Sequence, residues 1–244
     1  MKRLKDKVVI ITGAAQGMGK MHAEKALNEG AKVVITDINK DLGLQTSQVL
    51  GENAIFIQHD VANEEHWSNV ISTVIKKWGR IDVLVNNAGI TYSTPLEELS
   101  LASYMKIVDI NQVSVFLGIK TVAKTMKSQN AGAIINISSM NGLVGGAIGY
   151  TDTKFAVRGM TKAASRELSP YNIRVNSVHP GVIQTAMLEQ EDVKEQVEQF
   201  KKTIPMRRVA QVEEVSNMVI FLASDEASYS TGAEFVIDGG LTAL

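Results

Sequence analysis

Short runs of continuous hydrophobic residues alternate along the chain with longer stretches whose apolar positions recur at helical spacing. The runs cover residues 8–11, 32–36, 54–57, 81–85, 133–137, 173–178 and 234–237, and are rich in Val and Ile. Hydrophobicity that is continuous rather than alternating marks strands covered on both faces, as in a parallel sheet. Helical patterns lie between them at roughly residues 17–29, 40–50, 63–78, 100–128, 149–168 and 212–223. This alternation predicts an α/β fold, a doubly wound parallel sheet of about seven strands with helices on both faces.

No Pro-rich or Ser-rich linker, repeat or low-complexity tract interrupts the series, so residues 1–244 are expected to form a single domain. One segment stands apart. Residues 186–204 are rich in Glu, Gln and Lys, with Leu188, Val193, Val197, Phe200 and Ile204 at near-helical spacing. Two readings stay open there, an ordinary surface helix or a mobile substrate lid over the carboxyl edge of the sheet.

Composition narrows the function classes. A chain of 244 residues with 45% hydrophobic content can bury a core of its own without staples. The absence of cysteine removes disulfide frameworks, thiolate zinc sites and cysteine nucleophiles together. With 25 basic against 26 acidic residues, nothing in the charge attracts nucleic acid. No apolar run approaches the ~18 residues of a membrane span. The basic start at Lys2 and Arg3 continues into Lys5, Asp6 and Lys7 rather than an apolar core, a poor signal peptide. A soluble, cytoplasmic protein with no membrane or nucleic-acid partner is expected. The histidines His22, His59, His66 and His179 are scattered without metal-ligand spacing, and no metal is expected.

Chemistry enters after the first strand. Gly13, Gln16, Gly17, Met18 and Gly19 form a G-x-x-x-G-x-G turn leading into a helix. Such a turn needs residues that tolerate positive φ and lack a Cβ where a phosphate approaches the backbone. The helix behind it offers unpaired N–H groups and a positive dipole end to a pyrophosphate. Asp37 closes the second strand, 18 residues beyond Gly19. A carboxylate there can accept both ribose hydroxyls of an adenosine and repels a 2′-phosphate, so NAD(H) is favoured, with NADP(H) kept as the alternative. Asp60 and Val61 follow the third strand, where they could meet the adenine, and Asn87, Ala88 and Gly89 follow the fourth.

Tyr150 and Lys154 stand at i and i+4 on one predicted helix and so share a face. A phenol of pKa ~10 is a poor acid–base catalyst at neutral pH, and a neighbouring ammonium, helped by a positive nicotinamide, stabilises its anion. The pair is expected to bring the phenol toward the working range.

Jointly, Thr12-Gly13-x-x-x-Gly17-x-Gly19, Asn86-Asn87-Ala88-Gly89, Asn111, Ser138-Ser139, Tyr150-x-x-x-Lys154 and Pro180-Gly181 resemble the short-chain dehydrogenases/reductases, in order and over essentially the whole chain. The end of the chain, around residues 231–240, resembles bacterial hydroxysteroid and secondary-alcohol dehydrogenases, which include a branch with an interface magnesium. The resemblance implies a one-domain Rossmann oxidoreductase, commonly a homotetramer, with an Asn-Ser-Tyr-Lys tetrad and pro-S hydride transfer. Carried over by position, Tyr150 is the general acid/base and Lys154 lowers its pKa while binding the nicotinamide ribose. Asn111 positions a water, and a serine after the fifth strand holds the substrate oxygen. Pro180, Gly181, Val182 and Thr185 match the segment that contacts the carboxamide.

Ser139 precedes Tyr150 by 11 residues and Ser138 by 12, about two short of the family's usual spacing. Matching the strand end selects Ser139, with Ser138 as the fallback. Tyr92 is either a pocket residue or a solvated loop side chain. The expected reaction interconverts a small secondary alcohol, a hydroxysteroid included, and its ketone. A 3-oxoacyl-carrier-protein reductase is the rival, although Gln129-Asn130-Ala131 and Pro170-Tyr171-Asn172 offer little to an acidic carrier. A non-catalytic dinucleotide-binding module is the third reading, and an intact tyrosine–lysine pair argues against it.

Overall fold

The computed structural model describes residues 2–91, 94–184 and 194–243. Seven parallel strands form one sheet: β1 (Val8–Thr12), β2 (Lys32–Asp37), β3 (Ala54–Gln58), β4 (Val83–Asn86), β5 (Gly132–Ile137), β6 (Ile173–Pro180) and β7 (Glu234–Ile237). Their spatial order is β3-β2-β1-β4-β5-β6-β7, a Rossmann sheet extended by a seventh strand. The helices are α1 (Gly17–Asn28), α2 (Lys40–Leu50), α3 (Glu64–Trp78), α4 (Leu101–Val108), α5 (Ser114–Gln129), α6 (Tyr150–Leu168), α7 (Lys194–Lys201) and α8 (Val212–Ala223).

The continuous apolar runs serve two cores at once. Val9 and Ile11 of β1 pack with Val33, Ile35, Val83, Val85 and Ile135 against Ala23 and Ala26 of α1 and Val215 and Val219 of α8. Val8 and Ile10 turn the other way, with Val34, Leu84 and Ile134, onto Trp67 and Val70 of α3 and Val122 and Met126 of α5. Successive strand side chains alternate faces, so a sheet covered twice needs apolar residues at nearly every position. The outer strands β3 and β7 are less buried, as edges should be.

Local signals fix the helix ends. The Asn39 side chain caps α2 through Leu42 N–H, and Asn63 caps α3 through the N–H groups of Glu65 and His66. Gln211 and Glu214 form a reciprocal capping box at the start of α8.

Two elements differ from expectation. The helical pattern over 100–128 divides into α4, a π-helical turn at Asp109–Val113 and α5. The fourth strand begins at Val83 rather than residue 81, because the Asp82 carboxylate takes the Val8 N–H at 2.8 Å and pairs with Arg80. Of the segment 186–204, α7 is helical and Ile204 is buried, while Leu188 and Val193 lie outside the described residues. Strands β1 and β4 are neighbours whose following connections run to opposite sides, and the crevice at their carboxyl ends is where such sheets take ligands.

Candidate active site

The floor of the crevice is the turn between β1 and α1. Gly13 has φ +63°, and a Cβ there would lie 2.8 Å from the Ala88 Cα. Gly17 has φ +57° and nothing within 4 Å on its Cβ side, so the turn presents bare backbone to open space. Gln16 caps α1 without a side-chain hydrogen bond, and the first turn carries no acidic residue. The leading N–H groups and the dipole therefore face outward. Asn87 Nδ2 donates to the carbonyls of Thr12 and Gly13 at 2.9 and 3.0 Å, while its Oδ1 is buried with no partner. The side-chain-free cradle and this orphaned acceptor fit a dinucleotide with its pyrophosphate on α1.

Asp37 stands beside the turn. Its carboxylate accepts from Ala15 N–H at 3.2 Å and Asn39 N–H at 3.0 Å, which fixes its direction. Beyond β3, Asp60 accepts from Ala62 N–H, and the Val61 carbonyl takes the Trp67 indole N–H at 2.9 Å. His59, buried between Thr36 and Trp67, is driven down to about 4 by loss of solvent and underlies this wall as a neutral ring.

At the other end of the crevice α6 delivers Tyr150 and Lys154. The Lys154 ammonium donates to the Ile137 carbonyl at 2.9 Å and lies 5.5 Å from the Tyr150 ring centre. Burial lowers Lys154 to about 8. Burial also raises the Tyr150 phenol, and the Ser139 hydroxyl facing it pulls the other way. Desolvation of the phenolate is the larger of these two effects.

Asn111 owes its place to the π turn. Its amide closes on Ile90, accepting from that N–H and donating to that carbonyl, both at 2.8 Å. Gly89 passes between Asn111 and Lys154: a Cβ there would sit 3.3 Å from Asn111 Oδ1 and 3.5 Å from Lys154 Nζ. The two serines part company. Ser138 Oγ donates to the Lys154 carbonyl at 3.0 Å and is spent on α6, whereas Ser139 faces Tyr150. Met18, Asn87, Gly89, Ser138, Tyr150 and Lys154 line a cavity of about 320 Å³, so the choice of Ser139 rests on its facing Tyr150 and on the bond that holds the Ser138 hydroxyl. Gly181 lies against Asp238, where a Cβ would come within 2.7 Å of the Cα, and the Val182 carbonyl accepts from Ala210 N–H. Thr185 and Tyr92 lie outside the described residues. Two residues at the site carried no sequence signal: Asn141, whose N–H reaches Ser139 Oγ, and His179, whose ring bonds the Ser139 carbonyl.

Residues 13–242 match the family model described as enoyl-(acyl carrier protein) reductase. The chain belongs to the short-chain dehydrogenase/reductase family. It is 46% identical to the 3-alpha-(or 20-beta)-hydroxysteroid dehydrogenase of Mycobacterium tuberculosis, over 99% of this chain and 91% of that one. It is 45% identical to the cyclopentanol dehydrogenase of Comamonas testosteroni over 100% of both. Among solved structures, levodione reductase superposes with a TM-score of 0.94 at 33% identity, covering 99% of each chain. As a family member the protein is an oxidoreductase that uses a nicotinamide dinucleotide.

Proposed function

We propose that the protein interconverts a secondary alcohol carried on an alicyclic ring and the corresponding ketone, with NAD(H) as partner. The observation that carries this reading is the convergence of Ser139, Tyr150 and Lys154 at the end of a crevice whose other end is a bare glycine cradle. The cyclopentanol alcohol and the steroid 3-alpha alcohol named for the relatives are borne on rings, whereas the 20-beta alcohol stands on the side chain next to one.

When bound, the nicotinamide supplies the hydride donor or acceptor and, oxidised, a positive charge. The chain's own residues do the rest. Gly13, Gln16, Gly17, Met18 and Gly19 hold the pyrophosphate against α1, and Asp37 takes the adenosine ribose. Asp60 and Val61 flank the adenine. Asn87, Ala88 and Gly89 support the second ribose with Tyr150 and Lys154, and Pro180, Gly181, Val182 and Thr185 meet the carboxamide. Tyr150 Oη gives its proton to the carbonyl oxygen in reduction and takes it back in oxidation, while Ser139 donates to the same oxygen. The Lys154 ammonium favours the phenolate, and Asn111 borders the path from Lys154 toward solvent.

Asp37 supports NAD(H): against a 2′-phosphate its charge costs up to ~4 kcal/mol at 4 Å and an effective dielectric of about 20. The reading includes residues 1–244 as one domain, a lid within 186–204 and a cytoplasmic setting. Among the described residues no helix is long and apolar enough to cross a membrane. It also includes a homotetramer, supported by the exposed Phe116 on α5 and Phe155 on α6 and tested by analytical ultracentrifugation. The catalytic reading is tested with cyclic, aliphatic, aryl and steroid ketones and an acyl-carrier thioester, each with NADH and NADPH. Fastest turnover of cyclic ketones with NADH supports it. Preference for the carrier thioester, or NADH binding without turnover of any substrate, overturns it.

A further inference from the structure

The serine–tyrosine segment must reverse direction in few residues, and one side chain closes it. Asn141 sits in the short 3₁₀ turn Met140–Gly142. Its Nδ2 donates to the Gly145 carbonyl at 2.9 Å, tying the far side of the loop back to the turn. Its peptide N–H donates to Ser139 Oγ at 3.1 Å. A hydroxyl has one proton and two lone pairs. An amide N–H on one lone pair leaves the Ser139 proton to point across the pocket, toward Tyr150 and any substrate oxygen between them. The backbone of the same serine is held from below: its carbonyl accepts from Gly142 N–H at 2.9 Å and bonds His179 Nδ1 at 2.9 Å, with His179 Nε2 at 2.9 Å from Ser177 Oγ. That network sets the His179 tautomer, with the proton on Nδ1 and Nε2 accepting from the serine hydroxyl.

We propose that Asn141 is a positioning residue that fixes the Ser139 hydroxyl as a donor to the substrate oxygen. This rests on the reading of Ser139 as the group that contacts that oxygen. The side chain acts through the turn. With Gly145 held, the N–H of residue 141 stays aimed at Ser139 Oγ; with it released, the loop between the serine and Tyr150 is free to unwind the turn that aims it. Gly146 supplies an independent handle. A Cβ there would lie 2.1 Å from Asn141 Nδ2 and 3.0 Å from Thr151 Oγ1, so Gly146→Ala chiefly displaces the end of the Asn141 side chain without deleting it.

The test compares Asn141→Ala, Gly146→Ala, the double variant and Ser139→Ala, with cyclopentanone as substrate, NADH affinity by fluorescence and Tm alongside. Asn141→Ala and Gly146→Ala are each expected to lower kcat about tenfold, the effect of one misdirected hydrogen bond in the transition state, with KM and NADH affinity within about twofold. The double variant should stay within about twofold of Asn141→Ala, because the amide that Gly146→Ala displaces is then gone and only the looser contact with Thr151 Oγ1 remains. Unchanged kcat in Asn141→Ala, losses that multiply in the double variant, or a change confined to KM overturns the proposal while Ser139→Ala remains inactive. Full turnover by Ser139→Ala overturns the reading beneath it instead.

Discussion

The Lys154 ammonium lies 5.5 Å from the centre of the Tyr150 ring and is anchored to the Ile137 carbonyl at 2.9 Å. One turn of α6 separates the two residues, so the helix sets their spacing and β5 sets the direction of the lysine. Burial that lowers Lys154 to about 8 puts its charge within reach of ordinary pH. The ammonium is present below that value and lost above it. Ketone reduction, measured as kcat/KM against pH, should therefore fall on the alkaline side with a midpoint near 8. Lys154→Arg, which does not titrate in this range, should retain a reduced rate and lose that limb.

Asp37 offers a test of cofactor choice that separates charge from shape. Its two carboxylate oxygens accept from Ala15 N–H and Asn39 N–H, so Asp37→Asn keeps an acceptor and removes the charge. The ratio of kcat/KM for NADH over NADPH should drop about tenfold or more, corresponding to ~1.4 kcal/mol of lost repulsion. An unchanged ratio would show that the carboxylate does not meet the ribose.

Gly17 and Gly19 should fail differently. A Cβ on Gly19 would lie 2.4 Å from the Gly13 carbonyl oxygen and 2.8 Å from the Ala14 Cα, and neither backbone atom can swing away. Gly19→Ala should cost about 1–3 kcal/mol of stability. Gly17→Ala meets open space and adds only the strain of a positive φ, about 1–2 kcal/mol. Its larger effect should be weakened NADH binding, because the methyl group enters the space reserved for phosphate. Thermal melts and NADH titration on both variants distinguish the two.

Among the buried histidines that make the fold sensitive to acid, His22 is shifted further than His59. His22 is fully buried between α1 and α8, with Nδ1 on Ser216 Oγ at 2.7 Å and Nε2 unpartnered, and burial takes it to about 3. Below its unfolded value of about 6.5 the unfolded chain binds a proton that the folded protein refuses. Stability should fall as pH drops from about 6.5 toward 3, by up to about 1.4 kcal/mol per unit from this group. Ser216 Oγ also donates to the Val212 carbonyl, so His22→Leu leaves it satisfied. Denaturant unfolding at several pH values should show a shallower acid loss in His22→Leu than in the parent.

Much of this was legible in the chain because burial on both faces leaves a plain mark: seven apolar runs became seven strands. The glycine turn was equally readable, since Gly13 and Gly19 are dictated by backbone contacts that no other residue permits. Periodicity could not reveal the π turn at Asp109–Val113, because an extra residue in a helix shifts the apolar face without ending it. Yet that turn directs Asn111 at Ile90. Residue spacing also cannot report how deeply Tyr150 is buried, and burial is what raises its phenol. Asn141 and His179 act on Ser139 through its backbone and a peptide N–H, contacts that leave no motif.

The central claim is that the Tyr150 hydroxyl carries the proton to and from the substrate oxygen. Tyr150→Phe removes that oxygen and keeps the ring beside Lys154. The account predicts NADH affinity within a few fold of the parent and a fall in kcat for ketone reduction of about 10²–10⁴, the range of a lost general acid. A kcat within twofold of the parent, measured on protein that still binds NADH, would contradict it.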